Sequence, residues 1–167
     1  INGGINPAHS FITPAILQTA VVGTSRSLED QFIAAATEIL KKNSSACKGI
    51  VVLYDRGIAD GLAYVDQELF EAVLKGEDLE LGGVKSKQRY DAIFHLRTAA
   101  IGAEEFYTLA NNTARSETPE QARELDARTE AAWTGHDHLR IIGNDTDFDG
   151  KLNHVFQEVC VVLGIPV

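Results

Sequence analysis

The 167-residue sequence contains no methionine. It opens on Ile1-Asn2-Gly3-Gly4, so the numbering is expected to begin downstream of the translation start, with a segment removed or missing ahead of it. Cysteine is scarce: Cys47 and Cys160 stand far apart, with no CxxC pair and no clustered ligands. That excludes a disulfide framework and a thiolate zinc site, and both thiols are expected as small core residues. No apolar run reaches the ~18 residues of a membrane span, and no basic stretch leads into an apolar one at the front. An intracellular, cytoplasmic chain without a membrane span is the expectation. Positive charge is also in short supply, 15 Lys and Arg against 24 Asp and Glu for a net charge of −9, which excludes a non-specific nucleic-acid binder. Groups that bind anions must therefore be local. Internal repeats, heptads and low-complexity linkers are missing too, so residues 1–167 read as one domain with one core.

What is present centres on Lys48–Gly57. The continuous apolar run Ile50–Tyr54 is the signature of a strand buried on both faces of a parallel sheet. It closes on Asp55-Arg56-Gly57, a carboxylate and a guanidinium at the strand's carboxyl edge, where open α/β sheets bind ligands. A P-loop phosphotransferase uses such an Asp to hold magnesium or accept a proton, and such an Arg to clamp phosphate. A strand-end Asp that merely caps the next helix would look the same.

Around that strand the periodicities alternate. Thr13-Pro14 starts a helical pattern through Lys42, weakened at Gly23-Thr24-Ser25, so that one kinked helix and two successive helices both fit. A second helix is predicted over Asp66–Leu74, then a polar surface excursion over Lys75–Gln88, then a strand within Tyr90–Leu96. A short helix over Ala103–Leu109 and a polar loop over Asn111–Thr118 follow. Thr118, Pro119 and Gln121 predict a capped helix to about Trp133, Leu139–Ile142 a third strand, and Phe148–Leu163 a final helix with a 3.6-residue apolar period. Strand and helix in alternation predict a parallel α/β fold.

The motifs then converge on a family. Asp55-Arg56-Gly57 with Asp60-Gly61-x-Ala63-Tyr64, Tyr90-Asp91-x-x-x-His95-Leu96 and Ala103-Glu104-Glu105-Phe106-Tyr107 resemble the AAA-like, nucleoside-kinase-like P-loop ATPases. So do Asn112-x-x-Arg115-Ser116-Glu117, Ala122-Arg123-Glu124-Leu125-Asp126, Ala132-Trp133-x-Gly135-His136 and Phe148-x-x-Lys151-Leu152, in the family's order. The resemblance implies a three-layer parallel-sheet P-loop NTPase fold that binds ATP or GTP with Mg2+, with phosphoryl transfer or hydrolysis as its chemistry. A switch module with little turnover, or a structural subunit completed by another chain, would carry the same motifs. An additional domain or protein partner fits the same picture.

The family's glycine-rich loop ending in Gly-Lys-Ser/Thr does not occur in residues 1–167. Gly82-Gly83-Val84-Lys85-Ser86 has the composition but neither the spacing nor a buried strand before it. In P-loop folds the loop-bearing strand lies between the strands corresponding to Ile50–Tyr54 and Tyr90–Leu96, so its loss would strand two backbone edges in the core. A chain lacking its first strands is therefore the expectation.

Asp55 is the leading candidate, as magnesium ligand or base, with Arg56 on a phosphate oxygen unless it pairs with Asp60. The resemblance puts Arg115 on a mobile lid, residues 111–130, reaching the γ-phosphate. Arg123 is a nucleotide-binding candidate and Arg128 a weaker one; ion pairs with Glu120, Glu124 or Glu130 would explain both otherwise. Asn144-Asp145 lies where P-loop kinases contact the base. His95 reads as a core histidine, and His136-Asp137-His138 lacks the fourth ligand of a metal site. Trp133 and Phe106-Tyr107 could stack on a base, but core packing explains them as well.

Overall fold

The computed structural model describes residues 11–85, 88–107 and 117–166. They fall into two compact units, Ile1–Leu81 and Gly82–Val167.

The first unit is built on α1 (Pro14–Lys42), one unbroken helix of 29 residues. Thr13 caps it by accepting the Ile16 N–H, Pro14 supplies a preset φ, and Lys41 and Lys42 complement the dipole at the far end. Gly23 does not break it; the missing side chain admits the Glu77 carboxylate, whose Oε1 would lie 3.1 Å from a Cβ there. Arg26, one turn on, donates to the Glu77 carbonyl and pairs with its carboxylate at 3.7 Å. A 3-10 helix, Ile58–Ala63, and α2 (Gln67–Gly76, capped by Asp66) pack against α1. The unit's core is Val22, Ile58, Ala59, Ala63, Val65, Phe70, Val73 and Leu74. Gly61 is required there, since a Cβ would sit 2.3 Å from Phe70 Cε2 and 2.7 Å from Gln18 Oε1.

The expected buried strand Ile50–Tyr54 does not form. These residues run without ladder pairing, and Val51 and Leu53 are 48% and 76% exposed. A strand is defined by its partner's hydrogen bonds, and no described residue supplies them. The segment is held by its last residue, Tyr54, whose hydroxyl donates to the Glu29 carbonyl at 3.2 Å. Cys47, expected in the core, is half-exposed and bonds the Gly49 carbonyl, while Cys160 is buried as expected.

A four-residue turn of helix, α3 (Leu81–Val84), interrupts the predicted surface excursion and buries Val84. The second unit then builds a β-α-β arrangement: β1 (Ile93–Leu96), α4 (Pro119–Trp133), and β2 (Leu139–Ile142) parallel to β1. The register aligns Ile93 with Leu139 and Leu96 with Ile142. Between β1 and α4 a 3-10 turn, Glu104–Phe106, stands where a short helix was predicted. The capping box of α4 forms as read, Thr118 accepting from Gln121 N–H and Gln121 Oε1 from Thr118 N–H. The final helix α5 (Phe148–Leu163) starts on Asp147 and ends at Gly164 with φ +64°. Its period is right but its burial is not: Phe148, Leu152 and Phe156 are exposed and the buried residues are Lys151 and Cys160. The core consists of Val84, Tyr90, Ala100, Ala132, Trp133, Ile142 and Cys160, with Tyr90 and Trp133 packed edge to face at 5.4 Å. The architecture is α/β with a two-stranded parallel sheet among the described residues.

Candidate functional site

Parallel strands deliver their loops to one edge, and the polar groups of the second unit gather there. β1 runs out into Arg97-Thr98 and β2 into Gly143-Asn144. The Asn144 amide stitches the two exits together. Its Nδ2 donates to the carbonyls of Thr98 and Ile101 at 2.9 and 2.7 Å, and its Oδ1 accepts from Lys151 Nζ at 2.7 Å. The same ammonium donates to the Arg97 carbonyl at 2.7 Å. Burial pushes the Lys151 pKa below 10.5, with the Asp126 charge opposing the shift.

The helix α4 supplies the other side. Asp126 Oδ1 accepts the Thr98 N–H at 2.7 Å, and Oδ2 lies 3.3 Å from His95 Nε2 in the middle of β1. One turn further, Glu130 pairs with Arg97 at 3.2 Å. Arg123 donates through Nε to the Ala100 carbonyl at 2.6 Å and reaches Glu120 at 3.4 Å. Glu104 accepts the Gly102 N–H at 3.0 Å, and that bond together with its own N–H holds the carboxyl below its ordinary 4.5. Arg123 and Asn144 are thus brought to the same short loop, Thr98–Ile101, each bound to its backbone.

In the first unit, Asp55 and Arg56 are exposed at the end of the extended segment. Arg56 takes φ +79°, and its guanidinium reaches Asp60 at 3.5 Å, the ion pair weighed against a phosphate role from the sequence. The Arg56 side chain is 64% exposed, which leaves its guanidinium available for exchange. Asp60 itself is only 14% exposed. Arg115, with residues 111–116 of the expected lid, lies outside the described residues; most of the lid's remainder is α4. Arg128 is exposed on that helix.

The histidines near the start of β2 have structural partners. His136 donates through Nε2 to the Tyr90 carbonyl at 2.9 Å and accepts the His138 N–H on Nδ1, while His138 Nδ1 donates to the Asp91 carbonyl at 3.1 Å. Trp133 is buried, Phe106 is 70% exposed, and the Tyr107 hydroxyl donates to the Glu117 carbonyl at 2.9 Å. Sequence reasoning missed the grouping of His95, Asp126, Glu130 and Lys151. The i, i+4 spacing of Asp126 and Glu130 was its one visible trace.

A parallel β-α-β unit with charged and amide groups gathered beyond its strand ends is the framework of α/β ligand-binding domains. The chain belongs to the AAA domain family, whose family model matches residues 16–151. It is thereby placed in the P-loop NTPase class, whose general property is nucleotide binding or hydrolysis. No curated protein and no solved structure gives a significant match to the chain.

Proposed function

We propose that the protein binds ATP or GTP with Mg2+ and couples that binding to phosphoryl transfer or hydrolysis. The observation that carries this reading is the family match over residues 16–151, which includes both Asp55-Arg56 and the β1-α4-β2 unit. Asp55 offers an exposed hard oxygen, which fits Mg2+, a cation that keeps most of its waters and takes one or two carboxylates from protein. When bound, the ion would neutralise charge on the phosphates. Arg56 exchanges its Asp60 partner for a phosphate oxygen, and Arg115 contributes a second guanidinium from the lid. Arg123, on α4 against the loop after β1, and Asn144, in the loop after β2, serve the nucleotide. The family's glycine-rich phosphate loop does not occur in residues 1–167.

A second reading has a specific observation in its favour. Arg56, Arg123 and Asn144 each already hold a protein partner, so a nucleotide engaging them must exchange those contacts. Nucleotide occupancy would then rearrange the loops, as in a switch with little turnover. Fluorescent ATP and GTP analogues titrated into the intact protein, with and without Mg2+, test both. Asp55→Asn is expected to weaken Mg2+-dependent binding at least about tenfold while sparing the Mg2+-independent part. Absence of saturable binding to either analogue rejects both readings. Binding without turnover selects the switch.

A further inference from the structure

We propose that His95, Asp126 and Glu130 form a binding site for a divalent transition-metal cation of the zinc type. The site is independent of the nucleotide reading and uses none of its residues. One ligand atom from each of the three side chains lies within 4.8 Å of the others. They come from two elements that must already be packed together: His95 from β1, and Asp126 and Glu130 from successive turns of α4.

The second observation concerns His95 itself. Its side chain is 93% buried, being 7% exposed, and its Nε2 has no hydrogen-bond partner among the described residues. The neighbour 3.3 Å away, Asp126 Oδ2, is close enough for a hydrogen bond and wrongly aligned for one. A buried imidazole nitrogen in that condition carries an uncompensated cost. The separation has a ready chemical meaning. Two ligands at ~2.0–2.1 Å from one tetrahedral metal stand about 3.3–3.4 Å apart, so Nε2 and Oδ2 are spaced for a shared cation.

The remaining atoms suit the same assignment. Asp126 Oδ1 is fixed by the Thr98 N–H at 2.7 Å, which orients Oδ2 toward the histidine. Glu130 is anchored through Oε2 by Arg97 at 3.2 Å, leaving Oε1 for the cation. These are the outer hydrogen bonds that orient metal ligands. Glu130 is 33% exposed, so it gives the cation a route in and leaves room for a water as fourth ligand. One imidazole and two carboxylates suit Zn2+, Co2+ or Mn2+ better than the all-oxygen preference of Mg2+. The bound cation would tie the centre of β1 to α4.

Cobalt chloride titrated into the intact protein, read by visible d–d absorption and then displaced with zinc chloride, tests the site. One equivalent is expected to bind, with a tetrahedral or five-coordinate spectrum. Glu130→Gln, at a partly exposed position with no core role, should weaken binding at least about tenfold, and His95→Gln should abolish the nitrogen-ligated spectrum. Retained circular dichroism verifies folding; if His95→Gln unfolds, Glu130→Gln decides alone. No saturable cobalt or zinc binding overturns the proposal. So does binding unchanged in Glu130→Gln, which would assign the metal to exposed groups such as His154.

Discussion

Replacing Gly61 with alanine isolates the tightest contact in the first unit. The added methyl would lie 2.3 Å from Phe70 Cε2, against 3.4–4 Å for ordinary contact, and 2.7 Å from Gln18 Oε1. Phe70 is fully buried in the unit's core, so its ring has no open solvent to retreat into. Overpacking of this kind costs about 1–3 kcal/mol, while replacing a helical glycine returns up to about 1 kcal/mol through the unfolded chain. A net loss of about 2 kcal/mol is expected. With a urea slope of about 2 kcal/mol per molar, the midpoint should fall by about 1 M at constant slope. Phe70→Leu costs stability alone, but in the Gly61→Ala background it removes the clashing ring atom, so the double variant should be more stable than the two single losses added together. A Gly61→Ala protein as stable as the parent, or additive behaviour in that cycle, would refute the packing argument.

Three further outcomes follow from the second unit. Asp126→Ala strips the acceptor from the Thr98 N–H and the neighbour from His95, and should cost about 1–3 kcal/mol by chemical denaturation. Lys151 gives a pH dependence with a definite sign: burial lowers its folded pKa below 10.5, so the unfolded chain binds more protons between the two values. Stability should therefore rise as pH climbs through that interval and fall as pH drops through the lowered value, and Lys151→Met should flatten the rise. Thr118→Ala, which opens the capping box of α4, should cost about 1 kcal/mol, measurable by thermal unfolding.

Much of the local structure was legible in the residues. Thr13-Pro14 and Thr118-Pro119-x-Gln121 announce their helices because a cap is a short-range hydrogen bond, and both form. Phe148–Leu163 was found by period alone, yet its stripe Phe148, Leu152, Phe156 is exposed, because periodicity defines a face and not what lies against it. Ile50–Tyr54 shows the same limit in a strand. Its composition is right for one, but a strand exists only when another chain segment completes its hydrogen bonds.

By itself the sequence determined the helix starts, the order of elements in the second unit and the motifs of an AAA domain, since each depends on neighbours within a few residues or on their order along the chain. Tertiary structure alone decided which side chains meet. His95 lies 31 residues from Asp126, and only the packing of β1 on α4 sets their atoms 3.3 Å apart. Asn144, read as a nucleotide ligand, finds three partners in the fold, two of them carbonyls more than 40 residues away. Such distances are unreadable from spacing because nothing local fixes them: they are closed by the burial of Tyr90, Trp133 and Ile142, a free-energy term that belongs to the whole unit.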